Sequence, residues 1–152
     1  MSGGSWVRPS PESIRYALTL TATAFLTHYV WERLHCPLFV HPPGNPALSL
    51  VMIQATLGDV GLTWIAQLSM AAATSRWMWP RGAGRRTWGT LLALSVGMAL
   101  AIEWYALATG RWSYAPANPL IPALDLSILP VAQLAILFPV SFAAARFAAT
   151  RG

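Results

Sequence analysis

Apolar positions in this chain are grouped into four long windows, separated by short segments rich in Pro, Gly and Arg. A helix needs about 20 mostly apolar residues to cross the hydrocarbon of a bilayer. The windows that reach this length lie at about residues 14–34, 47–74, 87–108 and 127–147. Because a lone segment cannot leave backbone polar groups unpaired in lipid, each window is predicted to be a helix. The pattern therefore predicts an all-α, polytopic membrane protein, a four-transmembrane-helix bundle in one domain over residues 1–152.

Composition agrees with this fold class. Apolar residues make up 55% of the chain and charged residues 10%, whereas a soluble domain carries about 25% charged residues. The net charge of +5 comes from arginines that lie between the apolar windows or near their ends and form no basic stripe. Nucleic acid is therefore not a predicted partner.

The arginines predict how the helices are oriented, because basic connecting segments stay on the cytoplasmic side of a membrane. One side would hold Arg8, Arg15, Arg76, Arg81, Arg85, Arg86, Arg146 and Arg151. The opposite side would hold only Arg33 and Arg111. We expect both termini in the cytoplasm, with the first window retained as an anchor because no small-residue cleavage site follows it.

Polar side chains within the windows are few and fall on shared helix faces. His28, Glu32 and His35 are spaced i, i+4 and i+7 on the first helix. A second stripe comprises Thr56, Asp59, Thr63 and Gln67, and Glu103 and Gln133 lie on the last two helices. Ionisable groups within a membrane usually face the bundle interior or a water-filled cavity. Their depths along the helices predict one polar pocket that opens toward the outside.

Small residues recur every four positions in the third window, at Gly89, Ala93, Gly97 and Ala101. Such a stripe lets a neighbouring helix approach closely. We expect it to be a structural helix contact.

The first functional hypothesis is acid–base chemistry on an apolar lipid or isoprenoid. A carboxyl group in a low-dielectric site can act as a general acid, and aromatic faces can stabilise a developing cation. The candidate catalytic residues are Glu32, Asp59 and Glu103. The candidate binding residues are His28, Gln133, Trp104, Trp112 and Tyr114.

Two other hypotheses stay open. Glu32 and His35 form a Glu-x-x-His unit, which binds metal in di-iron bundles, and His28 lies one turn before it. Those bundles carry two such units and this chain has one, so a metal site is not the preferred prediction, and no cofactor is specified. Alternatively, the protein is a non-enzymatic accessory subunit with a protein partner in the membrane, or a small carrier.

Glu103 and the segments that follow it resemble a known membrane domain. Gly110-Arg-Trp-Ser-Tyr114 comes first, then Pro122 and Pro130-Val-Ala-Gln133. This order is similar to the short membrane domain of the lycopene-cyclase type, which implies cyclisation of an isoprenoid. The paired glutamates of that family correspond to Ala132 and Gln133, so the catalytic pair is absent from this position.

The chain also resembles small bacterial inner-membrane proteins with a Trp-Glu pair ending the first helix and a Gly-Asp pair in the second. Trp31-Glu32 and Gly58-Asp59 carry this resemblance. It implies a multi-pass fold in the inner membrane, and it implies no reaction.

Overall fold

The structure is a computed structural model that describes residues 10–40 and 48–150. Four long helices account for most of them: α1 at Pro11–His35, α2 at Leu48–Thr74, α3 at Arg85–Ala108 and α4 at Ile128–Thr150. The predicted all-α fold with four helices is confirmed. Arg8, Arg151 and the predicted start of the second window at residue 47 lie outside the described residues.

Local sequence sets where α1 begins and where α3 ends. The hydroxyl of Ser10 accepts a hydrogen bond from the Ser13 N–H at 3.2 Å and caps α1, and Pro11 occupies the first helical position. After the end of α3, Gly110 adopts a φ of 65°, and the Arg111 N–H donates to the carbonyl of Ala106. This is a Schellman ending, which needs a residue that tolerates positive φ.

Two short antiparallel pairs organise the connections at the end of the bundle where α1 and α3 finish, which is called the outer end below. Strand β1, Phe39–Val40, pairs with β2, Ser113–Tyr114. Strand β3, Leu120–Ile121, pairs with β4, Leu126–Ser127, directly before α4. The first pair ties the segment after α1 to the segment after α3.

The helices form an open arrangement in the order α2, α1, α4, α3. Contacts are most extensive between α1 and α4, and α4 also packs on α3 while α1 packs on α2. Helices α2 and α3 hardly touch each other. A cluster of apolar side chains fills one end of the bundle, including Tyr16, Met70, Leu91 and Phe142.

Among the described residues, α3 and α4 are the helices both long and apolar enough to cross a membrane. Helices α1 and α2 are long enough, at 25 and 27 residues. Polar side chains such as Glu32 and Asp59 interrupt their apolar runs. By length and composition, α3 and α4 are thus candidate spans, and a bundle of four spans belongs to the proposals below.

The small-residue stripe on α3 does not do what the sequence predicted. Its four positions are all exposed, and nothing lies within 4 Å of a Cβ built at Gly89 or Gly97. Helix α3 packs into the bundle through a different face, whose buried members include Leu91, Ser95 and Ala99. Helix α4 packs against this buried face, and α2 hardly touches α3, so neither helix covers the small-residue stripe.

Gln67 connects three elements at the apolar end of the bundle. Its Oε1 accepts hydrogen bonds from the Tyr16 hydroxyl at 2.7 Å and from the Trp79 indole at 3.0 Å. Its Nε2 donates to the carbonyl of Trp77 at 2.7 Å. All the hydrogen-bonding atoms of this buried amide group are therefore engaged with α1 and with the segment after α2.

Replacing Gln67 with Leu should destabilise the protein, because the buried donors of Tyr16 and Trp79 would lose their acceptor. We expect the free energy of unfolding to fall by about 2–4 kcal/mol, measured by denaturant titration in mild detergent. Gln54→Leu is the matched control, since Gln54 is exposed on the same helix. Equal stability of the two variants would contradict this role for Gln67.

Candidate functional site

The side-chain amide of Gln133 on α4 lies at the centre of the polar residues in the outer half of the bundle. Its Nε2 donates to Asp59 Oδ2 at 2.7 Å and to Glu32 Oε1 at 3.2 Å. The same nitrogen is 3.0 Å from His28 Nδ1. One side chain thus connects α4 to α1 and α2.

The Gln133 nitrogen has more neighbours than hydrogens. An amide NH₂ carries two hydrogens, whereas three acceptors surround it, so at most two are served at once. His28 Nδ1 also lies 3.3 Å from Asp59 Oδ2 and can exchange partners with the amide. The other ring nitrogen of His28, Nε2, is buried without a hydrogen-bond partner among the described residues. The cluster therefore has several possible arrangements of protons.

His35 lies one turn beyond Glu32 on α1. Its Nε2 is 3.8 Å from Glu32 Oε1, and its Nδ1 is 2.9 Å from the carbonyl of Trp31. A hydrogen bond to that carbonyl requires the proton on Nδ1, which leaves Nε2 directed at the carboxyl of Glu32.

Glu103 on α3 forms a second polar centre and is 1% exposed. It accepts a hydrogen bond from the hydroxyl of Tyr114, which in turn accepts from the Ser127 N–H at 2.9 Å. Burial and the bond to Glu103 both raise the pKa of Tyr114, so its hydroxyl stays protonated as a donor. The buried indole N–H of Trp112 also interacts with this carboxyl, without the geometry of a full hydrogen bond.

The strand pairing places Tyr114 and Trp112. Phe39 in β1 is opposite Tyr114 in β2, with ring centroids 5.6 Å apart in an edge-to-face arrangement. Phe39 also packs against Trp112 at 6.2 Å. The aromatic segment after α3 is thereby held over the outer end of the bundle.

A cavity of about 560 Å³ joins the two polar centres. All four helices contribute to its wall, together with the segments at the outer end. Three carboxyl side chains line it: Glu32, Asp59 and Glu103. Most other lining residues are apolar or aromatic, and Arg111 is the cationic side chain in the wall.

The structure brings most of the predicted site residues together. Glu32, Asp59, Glu103, Gln133 and Trp112 line this cavity. His28 is buried behind Gln133, and Tyr114 lies behind Glu103. The arrangement places both carboxyl centres in contact with one cavity.

Trp104 is a correction to the predicted site. Its side chain is 68% exposed and does not belong to the cavity wall. Helix periodicity explains this, because Glu103 points inward and the next residue is rotated by about 100°. The neighbouring Tyr105 lines the cavity instead, as do Phe39 and Arg111, which sequence reasoning did not select. Tyr105 is one of the aromatic residues near Glu103 that suit the stabilisation of a cation, whereas no sequence signal points to Phe39 or Arg111.

Two members of the predicted stripe on α2 have local partners instead of a role in the cavity. Thr56 and Thr63 donate to backbone carbonyls of their own helix, those of Met52 and Asp59. Gln67 belongs to the apolar end described above. Of this stripe, Asp59 alone lines the cavity.

The metal hypothesis gains no support from the donor geometry. Within residues 10–40 and 48–150, no three His, Cys, Asp or Glu side chains converge as a metal site would require. His28 is directed at Gln133 and Asp59, while His35 lies at 3.8 Å from Glu32. The amide nitrogen of Gln133 lies within 3.2 Å of His28, Glu32 and Asp59, in the place that an ion bound by these three residues would occupy.

Comparison with family models, with curated proteins and with solved structures finds no match to this chain. The geometry of the site is therefore the basis for any functional assignment.

Replacing Gln133 with Leu should destabilise the bundle, because Glu32 and Asp59 would lose their shared donor within a buried region. We expect a loss of about 2–3 kcal/mol in the free energy of unfolding. Denaturant titration in mild detergent measures it, again with Gln54→Leu as control. A Gln133→Leu protein as stable as the wild type would contradict a stabilising role for this amide.

Replacing Tyr114 with Phe removes the donor to Glu103 and the acceptor for Ser127 while keeping the aromatic ring. We expect a stability loss of about 1–3 kcal/mol in the same titration. Tyr105→Phe is the control, since the Tyr105 side chain is 54% exposed. A loss as large in the control would rule out a specific role for the Tyr114 hydroxyl.

Proposed function

We propose that this chain is an integral membrane protein with four spans and cytoplasmic termini, and that it catalyses acid–base chemistry on an apolar lipid of isoprenoid type. The observation that carries the proposal is a cavity with three carboxyl groups inside a bundle whose outer surface is apolar.

The distribution of polarity supports the membrane assignment. Large apolar side chains point outward on α1 and α2, for example Leu18 at 65% and Leu57 at 55% exposure. The outward faces of α3 and α4 are similarly apolar, with Leu92 and Ile136 exposed. Buried positions, by contrast, hold polar side chains such as Gln133. Water would disfavour this distribution, whereas lipid favours it.

Contacts at the apolar end of the bundle support cytoplasmic termini. Arg81 forms an ion pair with Glu12 at 2.9 Å and donates to the carbonyl of Ala149. The start of α1, the segment after α2 and the end of α4 thus share one end. Most described arginines lie at this end, while Arg33 and Arg111 lie at the other, as the positive-inside rule requires. The resemblance to bacterial inner-membrane proteins favours the inner membrane as the location.

The chemistry of the cavity supports proton transfer. The chain has five acidic residues, and three of them line this one cavity. A protonated carboxyl can add its proton to a carbon–carbon double bond, and the aromatic faces of Tyr105 and Trp112 can stabilise the resulting carbocation. A second carboxylate then removes a proton from an adjacent carbon and a new double bond forms. The net reaction is an isomerisation or a cyclisation and needs no co-reactant.

Glu103 and Asp59 suit the two proton-transfer roles. They belong to different helices and face the same cavity. Each also has a hydrogen-bond donor, Tyr114 for Glu103 and Gln133 for Asp59, that positions the carboxyl group.

Deuterium incorporation tests the proposed reaction without knowledge of the substrate. Protein reconstituted in isoprenoid-containing lipid extract and incubated in D₂O should produce a lipid that carries carbon-bound deuterium. Mass spectrometry of the extracted lipids measures it. Glu103→Gln and Asp59→Asn should abolish incorporation, because an amide cannot deliver or accept the proton in this way.

Asp125→Asn is the control for these variants. Asp125 is exposed, and Asn tolerates its positive φ of 53°. Incorporation that persists in folded Glu103→Gln and Asp59→Asn proteins, or that is absent from the wild type, would contradict the proposal.

A second candidate function is that of an accessory subunit, favoured by the exposed small-residue face of α3. Gly89 and Gly97 leave open space there that a partner's helix would fill. Native purification in mild detergent would then yield a stoichiometric partner. Gly97→Leu should release that partner while leaving the chain folded.

A further inference from the structure

We propose that the ligand of the cavity reaches it sideways from the bilayer, through the seam between α2 and α3, and that Gly58 keeps this seam open. The occupant of the seam is the hydrocarbon chain of a lipid. The inference rests on the proposed function, because it describes how an apolar substrate reaches the carboxyl groups.

The arrangement of the helices creates the seam. Each of the pairs α1–α2, α1–α4 and α3–α4 is well packed, whereas α2 and α3 hardly touch. Both of these helices nevertheless line the cavity, α2 with a row of residues and α3 through Ile102, Glu103 and Tyr105. The cavity therefore occupies the space where the fourth helix contact is missing.

Exposed lining residues mark where the cavity opens. Gln54 and Gly58 on α2 line the cavity and are also exposed. On α3, Tyr105 likewise lines the cavity and is 54% exposed. Exposed residues thus flank the seam on both sides.

The α2 side of the seam has little side-chain volume. Ala55 and Gly58 lie in the cavity wall, and Gly61 follows on the exposed face one turn later. Nothing lies within 4 Å of a Cβ built at Gly58 or Gly61. A larger side chain at position 58 would project into this open space.

The depth of Gly58 favours a lipid over a water-soluble ligand. It lies ten residues into α2, roughly 15 Å along the axis from the outer end of the helix. In the proposed topology this depth is near the middle of the hydrocarbon, which is about 30 Å thick. Exposed Leu57 beside it presents an apolar surface to the same region. A chain entering here would meet Asp59 next to Gly58.

A photoreactive lipid tests this route directly. Wild-type protein in liposomes containing a diazirine-bearing fatty acid should form cross-links on the cavity-lining segments of α2 and α3, mapped by mass spectrometry of peptides. Gly58→Trp should fill the seam and reduce those cross-links several-fold. Gly89→Trp is the matched control, because Gly89 is also exposed with open space around it but does not line the cavity.

The result that overturns the inference is cross-linking of the cavity walls in Gly58→Trp at the level of the wild type and of Gly89→Trp. Cross-links confined to the outward faces of the wild-type helices would overturn it as well. If Gly58→Trp does not fold, Gly58→Leu provides the smaller obstruction.

Deuterium incorporation separates this inference from the proposed function. If deuterium incorporation is lost in Glu103→Gln but unchanged in Gly58→Trp, the proposed reaction is supported and the lateral route is contradicted. If Glu103→Gln still incorporates deuterium while Gly58→Trp still reduces cross-linking, the enzyme assignment is wrong and a lateral lipid-binding site remains.

Discussion

The hydrogen bonds of the Gln133 amide are the interaction on which the outer half of this protein depends. Carboxyl groups within a bundle of apolar surface are tolerated only where a donor meets them, since an unpaired polar group in a low-dielectric interior is costly. Gln133 supplies that donor to Glu32 and Asp59 from a third helix. The same contacts connect α4 to α1 and α2, so one side chain both holds the helices together and positions the carboxyl groups.

The interior of the bundle differs between its two ends. At the end that contains both termini, aromatic and aliphatic side chains fill the space, and Gln67 satisfies the donors of Tyr16 and Trp79. At the other end, α2 and α3 stay apart and a cavity replaces the packed core. The packed end holds the helices together while the open end leaves room for a ligand beside Asp59 and Glu103.

The sequence predicted the helices and much of the site because both depend on local periodicity. The spacing of His28 and Glu32 put them on one face of α1, and that face does meet Gln133. Helix pairing was beyond such reasoning. The stripe containing Gly97 looked like a packing face but is exposed, because which helices adjoin is decided by the whole bundle. Trp104 was selected for its chemistry and lies outside the cavity wall because its position on the helix points it away.

The central claim is that four helices with lipid-facing exteriors surround a cavity lined by three carboxyl groups. Spin labels at Leu18, Leu57, Leu92 and Ile136, one on each helix, test it in liposomes after Cys36 is replaced by Ser. Collisions with oxygen, which concentrates in lipid, and with a water-soluble nickel complex report the surroundings of each label. The account predicts high oxygen and low nickel accessibility at all four positions. High nickel accessibility at Leu18 or Leu57 would contradict it, because α1 or α2 would then face water.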